Sequence, residues 1–361
     1  MKLLLAAIAA LGATLASAQI NLYFVGSVDL APTSEPTNAA FIGTNPAAVE
    51  WNGTDLIVAG FNGGTTAATT GLVRVSNALT APTLGTTFGG ISTAGTRGFT
   101  GLALNGANVY SSWDNGANST SSYRGFDASG APLFASSLNV RGIGGVGIDP
   151  GFGATPVARF SGLTVGSGRR LRGDLATGAE VNGVTGSAAP GAIVQPTGAG
   201  TTWRDHVYDP ATGDLYARES NRVTKAMRTG DNTFSPLSIL NPTVTAASGV
   251  VGQNIELLSD ASGKFLMYND RSTNATVNLT DAVKAMDTNG NAVAINYFGF
   301  TPGTGVGFYD FAYDAPSGTL ALLDFTNRSV TLFSRTQPVP EPMTLAALGL
   351  GAAALLRRRR K

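Results

Sequence analysis

Short apolar runs that follow glycine-containing turns recur along this chain. In five places an Asn or Asp opens a turn that contains Gly, and a short run rich in apolar residues comes directly after it. Gly adopts positive φ at little cost, and Asn and Asp side chains hydrogen-bond to the backbone of a turn. Each segment therefore predicts a hairpin turn that leads into a strand. The five segments are Asn52–Val58, Asn105–Tyr110, Asp209–Tyr216, Asp260–Met267 and Asp314–Ala321.

A further strand is predicted in each unit, roughly 10 to 20 residues after the first. A sixth, less regular turn is placed near Ser167–Leu171. The clear turn glycines lie about 50 to 55 residues apart, with one gap of about twice that length, so six units fill the body. The later strands are Leu72–Val75, Tyr123–Asp127, Leu171–Leu175, Val223–Met227, Val283–Asp287 and Val330–Phe333.

Repeats of this size with several antiparallel strands are typical of propeller blades. We expect an all-β, propeller-like body of about six four-stranded blades over residues 19–336, with a β-solenoid or two stacked β-sandwiches as alternatives. The best short helix candidate of the body lies around Asp281–Met286. The strand Ile20–Val28 is expected to pair with the final blade and close the ring, which would remove an exposed sheet edge.

The repeating unit resembles the blades of bacterial surface β-propellers, in which a Gly turn precedes a strand that ends in Asp or Asn. The segment Leu322–Asn327 shows this ending. The resemblance implies a fold, and a propeller fold alone does not select a function.

The first 18 residues have the organisation of a secretory signal peptide. Met1 and Lys2 form a minimal positive region, Leu3–Leu15 is apolar, and Ala16 and Ala18 supply the small residues that a signal peptidase requires. Cleavage after Ala18 is expected to leave Gln19 as the new N-terminus.

The C-terminal residues have three parts that follow one another in a fixed order. Residues 337–342 form a linker that prolines keep extended, and the apolar run Met343–Leu356 favours a helix. At ~1.5 Å per residue this run is ~21 Å long, shorter than the ~30 Å hydrocarbon core, so transient membrane insertion is expected. The basic residues after it stop translocation and remain cytoplasmic. The motif is Val339, Pro340, Glu341 and Pro342, and the membrane stop is Arg357, Arg358, Arg359, Arg360 and Lys361.

This tail resembles the PEP-CTERM sorting signal of exported bacterial proteins, a tail family also labelled ice-binding protein C-terminal domain. The resemblance covers residues 339–361 and implies processing by an exosortase, a membrane transpeptidase-like enzyme. It also implies delivery to the cell envelope, the cell surface or the extracellular matrix. A plain tail anchor with snorkelling arginines is the alternative.

Composition agrees with an extracellular β-rich body. The chain has 47 Gly, 13% charged residues and no Cys, so neither a disulfide framework nor thiolate chemistry is available. Without the six basic residues of the two ends and Glu341, the formal charge of the body is about −4. Neither nucleic acid nor an anionic membrane surface is therefore an expected partner.

His206 is the only histidine of the chain, which excludes a multi-histidine zinc site. If its segment is a strand, His206 shares a face with Arg204 and Tyr208, while Asp205 faces the other way. A Ser-His-Asp triad stays open because its members need not be adjacent in sequence. No G-x-S-x-G elbow supplies the nucleophile, and we expect a structural His206 and no catalytic residues.

Carboxylates recur near predicted strand ends. Such oxygen-rich rims can hold Ca²⁺, but no segment matches an EF-hand loop, and we expect hydrogen bonds within turns and no cofactor. The basic cluster Arg169, Arg170 and Arg172 is expected on a solvated strand edge rather than in an anion site. The carboxylates in question are Asp149, Asp209, Asp260, Asp270, Asp314 and Asp324.

Aromatic residues lie in or beside several repeats. Flat aromatic faces flanked by Asn and Asp suit sugar recognition, and packing within the blades explains the same pattern. We expect blade packing. The residues are Trp51, Trp113, Trp203, Tyr110, Tyr123, Tyr208 and Tyr216.

Two functional hypotheses remain. The first is a non-catalytic binding or scaffolding propeller, sorted to the envelope or to an extracellular polysaccharide matrix. The second is a secreted lyase or hydrolase that acts on polysaccharide with channel carboxylates. The single histidine and the absence of a recognisable acid/base pair in the sequence favour the first.

Replacing Pro340, Glu341 and Pro342 by alanines should block sorting, because alanine lets the helix continue upstream and removes the extended segment. We expect the variant to accumulate in the inner membrane as a precursor that retains Lys361, while the wild-type protein loses its apolar tail. Mass spectrometry of envelope and medium fractions measures both forms. Wild-type protein that keeps Lys361 in its final location would contradict the sorting interpretation.

Overall fold

The computed structural model describes most of the body in fifteen stretches. The predicted signal peptide with Ala16 and Ala18 lies outside the described residues, and so does the tail from residue 338 onward, with its sorting motif, apolar run and basic end. The described residues are 19–34, 36–62, 69–91, 97–114, 123–135, 142–164, 170–179, 181, 203–219, 221–231, 233–241, 254–270, 277–301, 304–305 and 309–337.

The described strands form six antiparallel blades. The chain begins with β1 (Gln19–Asp29) and helix α1 (Pro36–Ile42), and blade 1 follows with β2 (Asn45–Trp51), β3 (Leu56–Phe61), β4 (Thr70–Ser76) and β5 (Thr83–Ile91). Blade 2 contains β6 (Gly98–Asn105), β7 (Asn108–Asp114), β8 (Tyr123–Phe126) and β9 (Pro132–Ala135). Blade 3 contains, among the described residues, β10 (Gly142–Asp149), β11 (Arg159–Thr164) and β12 (Arg170–Gly173).

Blade 4 contains β13 (Trp203–Tyr208), β14 (Leu215–Glu219), β15 (Val223–Ala226) and β16 (Ser238–Asn241). Blade 5 contains β17 (Ile255–Asp260), β18 (Gly263–Asn269), β20 (Val283–Asp287) and β21 (Ala292–Phe298), with β19 (Val277–Asn278) and helix α2 (Leu279–Ala282) before β20. The short β22 (Thr304–Gly305) pairs with β19. Blade 6 contains β23 (Tyr309–Asp314), β24 (Thr319–Asp324) and β25 (Ser329–Ser334).

The first strand of every blade is the innermost one. The six inner strands β2, β6, β10, β13, β17 and β23 lie side by side in this order, and β23 lies next to β2. The ring is therefore closed, which distinguishes a propeller from a solenoid or from stacked sandwiches. The prediction of six blades is confirmed for the described part of the chain.

Strand β1 closes the ring at its periphery. Residues Tyr23–Asp29 pair antiparallel with β25 and supply the fourth strand of blade 6, while Gln19–Tyr23 pair parallel with β21 of blade 5. This confirms the expected pairing of the first exported strand with the final blade. Both edges of β1 are thus covered at different points along its length.

A β-bulge in β1 lets the strand serve two cores. The register shifts between Phe24 and Gly26. Before the bulge, Ile20 and Leu22 pack into the core between blades 5 and 6; after it, Val28 packs with blades 6 and 1. An extra residue in a strand reverses the face to which later even-numbered side chains point, so one strand can bury both halves.

The predicted repeat corresponds to fixed positions within the blades. Four of the five clear turn glycines lie between the first and second strands of a blade, and Gly263 is the first residue of the second strand, β18; all five have positive φ, from 60° at Gly106 to 136° at Gly263. The second strand predicted for each unit is the third strand of its blade, as in β4 and β25.

Two details of the prediction were wrong. The sixth turn was placed near Ser167–Leu171, which leads into β12, whereas the equivalent turn of blade 3 follows β10, where Gly151 has a φ of 83°. That turn is longer than the others, so its Gly does not directly precede an apolar run. The helix expected around Asp281–Met286 covers only Leu279–Ala282, because the residues after it pair with β18 as β20.

Leu320→Asp should lower the free energy of unfolding by roughly 3–5 kcal/mol, because an unpaired carboxylate would enter an apolar layer. Leu320 is fully buried in the core between blades 5 and 6. Leu133→Asp, at an exposed position of β9, is the matched control and should change stability little. Urea unfolding measures both, and equal midpoints for the two variants would contradict the burial of β24.

Candidate functional site

The six inner strands surround a central channel with a cavity of about 160 Å³. Glycines allow the strands to approach closely here. A Cβ at Gly145 would fall 1.5 Å from Oδ1 of Asp205, and a Cβ at Gly101 would fall 2.2 Å from the carbonyl oxygen of Gly144. A side chain at Gly101 or Gly145 would therefore clash with the neighbouring inner strand.

Four carboxyl groups from four different blades converge on this channel: Glu50 of β2, Asp205 of β13, Glu256 of β17 and Asp310 of β23. Burial raises the pKa of each of them, to about 6 for Asp310. Repulsion between the groups adds to the rise, since the charge of Asp310 raises the pKa of the other three. No Lys or Arg occurs among the described residues that line this cavity.

Two of the four carboxyl groups connect neighbouring blades through hydrogen bonds. Asp310 accepts a bond of 2.7 Å from the backbone N–H of Val49 in blade 1 and one of 2.5 Å from Nδ2 of Asn254 beside blade 5. Asp205 accepts a bond of 2.9 Å from the backbone N–H of Ile255 in blade 5. These bonds favour the ionised form, in opposition to burial. These hydrogen bonds connect inner strands of different blades and therefore have a structural role.

His206 is buried beside the channel and contacts a serine that the sequence did not indicate. Its Nε2 lies 2.9 Å from Oγ of Ser161, and the hydroxyl of Tyr208 donates to the same Oγ at 2.9 Å. His206 and Tyr208 thus share a face, as the strand alternation predicts. Asp205 does not complete a triad through its carboxylate, since that group accepts from the backbone N–H of His206 and from Ile255. Ser161 is 45 residues away, so no sequence motif could have revealed it.

The aspartates predicted at strand ends mostly hold turns, as expected. Asp209, Asp260, Asp314 and Asp324 each accept a backbone N–H two or three residues further along. For Asp270 the described contact is a backbone bond, in which its N–H donates to the carbonyl of residue 282. Within the described ranges, no group of three or more His, Asp or Glu residues is arranged to hold a metal ion.

Asp149 and Arg172 differ from the expectation. Asp149 accepts the turn bond from Gly151 but is also completely buried, and it pairs with Arg172 at 2.9 Å and with Arg228. Arg172, expected on a solvated edge, is 4% exposed and also contacts Asp231. Two cations compensate here for the burial of the Asp149 carboxylate, Arg172 from β12 and Arg228 just after β15. Arg169 and the side chain of Arg170 lie outside the described residues.

Six of the seven aromatic residues singled out in the sequence have described side chains, and these pack within the blades, as expected. Trp51 is buried, and its Nε1 donates to Oγ1 of Thr319 at 2.7 Å, which connects blades 1 and 6. Trp113 lies under the guanidinium of Arg124 at 4.7 Å, and the side chain of Trp203 is not among the described ones. Among the described side chains, Trp51 is therefore not open to a sugar, and one face of Trp113 is covered by Arg124. The remaining four, all buried, are Tyr110, Tyr123, Tyr208 and Tyr216.

Comparison with known proteins identifies the tail and the fold. The family model for the PEP-CTERM protein-sorting motif matches residues 338–361. The motif indicates an exported protein that is sorted to the cell envelope and implies exosortase processing. A search of curated protein sequences finds no match.

Solved structures similar to this chain include β-propellers. The β-propeller domain of Cps50 (Swd1) from Myceliophteria thermophila aligns with a TM-score of 0.51 at 12% identity, over 81% of this chain and 98% of that domain. An auxiliary nutrient binding protein from Bacteroides thetaiotaomicron aligns with a TM-score of 0.51 at 10% identity, over 81% of this chain and 69% of that one. At these identities the likeness establishes the fold and carries no function.

No helix within the described ranges is long and apolar enough to cross a membrane. The apolar run predicted to insert, Met343–Leu356, lies outside those ranges, so the membrane segment stays a prediction.

The stability of Asp310→Asn relative to wild type should increase as pH rises from about 4 to about 7, because the wild type loses stability over this interval. The folded-state pKa of Asp310, about 6, lies above the ordinary value of 3.8, so ionisation in this interval costs the wild-type fold stability that it keeps at lower pH. Thermal unfolding of both proteins over this interval measures the difference in Tm. Asp287→Asn is the control, because hydrogen bonds lower the pKa of Asp287 and move its transition below this interval. A Tm difference for Asp310→Asn that is independent of pH would contradict the assignment.

Proposed function

We propose that this chain is an exported, PEP-CTERM-sorted protein of the cell envelope or extracellular matrix, whose propeller body binds or scaffolds matrix components without catalysis. The observation that carries the proposal is the sorting motif at residues 338–361, which follows a closed propeller in the sequence. An exosortase-processed protein leaves the cytoplasm and works where matrix polymers are its neighbours. A signal peptidase that cuts after Ala18 would release Gln19, the first residue of the closing strand β1.

The small size of the channel argues against catalysis inside it and favours binding of matrix components at another surface of the propeller. Its cavity of about 160 Å³ is smaller than the ~300–1,000 Å³ of typical small-molecule sites. Two of the four channel carboxyl groups, Asp205 and Asp310, already accept hydrogen bonds from neighbouring blades. Ser161 and His206 are 0% and 3% exposed, which leaves little room for a substrate at that pair.

One observation favours a second candidate, a secreted propeller-type lyase or hydrolase that acts on polysaccharide. Glu50, Asp205, Glu256 and Asp310 have raised pKa values and share one cavity, a combination that is enriched at acid/base sites. In that case a carboxyl group that stays protonated near neutral pH would act as the general acid.

Binding and turnover should be measured together on the exported protein and the producer's own matrix polysaccharide. We expect retardation of the protein in a gel that contains the polymer, without release of new reducing or unsaturated ends. His206→Ala should leave binding unchanged, since His206 is 3% exposed and its described contacts with Ser161 and Tyr208 are buried. Release of new ends that Asp310→Asn abolishes would overturn the non-catalytic proposal in favour of the enzyme. Absence of both binding and turnover would contradict both candidates.

A further inference from the structure

A second cavity, of about 380 Å³, lies between blades 5 and 6, reaches β1 at the periphery of the propeller and shares no lining residue with the cavity of the central channel. We call it the outer groove. It begins at the bulge of β1 and continues along β25 to the turn between β24 and β25. Its volume falls within the range of typical small-molecule sites. Its lining residues are Phe24, Ser27, Val28, Asp29, Leu279, Phe300, Thr301, Tyr309, Leu322, Asp324, Asn327, Ser329 and Thr331.

One end of the outer groove is formed by two aromatic rings that neighbouring side chains hold in place, the exposed Phe24 and the half-buried Phe300. Phe24 and Phe300 stack with centroids 5.8 Å apart and planes 19° apart, and Phe24 is 37% exposed. Both rings make T-shaped contacts with Phe333, which is completely buried. These contacts order the two rings and leave part of Phe24 exposed.

The floor of the outer groove consists of two cross-strand rows of side chains, polar except for Leu322. Ser329 pairs with Asp29 of β1 on one side and with Asp324 of β24 on the other. Directly paired residues of antiparallel strands project to the same face, so these three side chains form one row. In the adjacent row Thr331 pairs with Ser27 on one side and with the apolar Leu322 on the other. The floor thus presents carboxylates and hydroxyls at the spacing of neighbouring strands.

The bulge of β1 is what brings the aromatic end and the polar floor to one face. Because the register shifts after Phe24, the odd-numbered Ser27 and Asp29 project on the same side as the even-numbered Phe24. Without the extra residue, Ser27 and Asp29 would face blade 1 instead. The same shift that lets β1 serve two cores therefore also builds the outer groove.

The charge of the outer groove selects among ligands. Its described lining contains two carboxylates, Asp29 and Asp324, and no Lys, Arg or His. A polyanion such as a uronic acid polymer would be repelled, and a purely apolar partner would leave the carboxylates desolvated. A neutral sugar fits both ends, because its C–H face packs on an aromatic ring and its hydroxyls donate to carboxylate oxygens.

From this arrangement we infer that the outer groove binds neutral sugar residues of a polysaccharide, with Phe24 and Phe300 as the stacking surface and Asp29 and Asp324 as hydroxyl acceptors. The inference rests on the proposed binding function and names its site and ligand class. Turn bonds already orient both acceptors, since Asp29 accepts from the backbone N–H of Ala31 and Asp324 accepts from that of Asn327. The site is therefore ordered before a ligand arrives, which reduces the entropic cost of binding.

Calorimetric titration of the full exported chain with neutral hexasaccharides of glucose, mannose and galactose, and with hexagalacturonate, tests the inference. We expect at least one neutral hexasaccharide to bind and hexagalacturonate not to bind. Phe24→Ala should weaken the neutral ligand about tenfold, and Asp29→Asn should weaken it several-fold, since Asn keeps an acceptor for Ala31 but loses the charge. Phe152→Ala is the matched control, because Phe152 is 45% exposed and lies in blade 3.

Unchanged affinity in both Phe24→Ala and Asp29→Asn would overturn the inference, as would equal binding of hexagalacturonate. Circular dichroism and Tm of each variant show whether it is folded, and Asp29→Asn keeps the test valid if Phe24→Ala is not. Retention of the wild type by the producer's matrix polymer, with no neutral hexasaccharide bound, would reject the outer groove while the binding function stands. No retention by that polymer would reject the binding function itself.

Discussion

The pairing of β1 with β25 is the interaction on which the rest of the structure depends. It joins β1, the first described strand, to β25, the last described strand, and together with the contact between β2 and β23 it closes the row of blades into a ring. An open row would expose edge strands and the core faces of its two end blades, and both are aggregation hazards. The bulge at Phe24 and Gly26 lets the same strand bury Ile20 on one side and Val28 on the other. Closure therefore uses main-chain hydrogen bonds and side-chain burial together.

The centre of the ring is polar, and its chemistry is constrained by closure. Each blade contributes an inner strand, and four of these place a carboxyl group in the same channel. Repulsion and desolvation oppose this arrangement, while hydrogen bonds across blades, such as those of Asp310 to Val49 and Asn254, compensate for part of the cost. The channel is consequently a pH-dependent part of the scaffold. The outer groove lies away from it, so the proposed ligand site and the proton-sensitive centre are separate regions of one fold.

The periodic features of the fold could be predicted from the sequence. Contacts between residues that are far apart in the sequence could not. The turn glycines, the third strands and the closing strand are local patterns, because φ preference and apolar runs are set within a few residues. The first turn of blade 3 was predicted at the wrong position because the turn that follows Asp149 is long. The channel carboxyls, the Ser161–His206 contact and the Asp149–Arg172 pair join different strands or blades, so no spacing in the sequence encodes them. The outer groove depends on a one-residue bulge, which alternation alone does not reveal.

Hydrogen exchange of the backbone amides measures closure most directly. Mass spectrometry of the full chain should show residues 19–29 of β1 protected far above an unstructured terminus, though less than residues 319–324 of β24, a strand of blade 6 that is paired on both sides. Protection of this kind requires stable main-chain hydrogen bonds, which a frayed terminus lacks. Exchange of residues 19–29 at the rate of an unstructured terminus, with β24 still protected, would contradict a ring closed by the first strand.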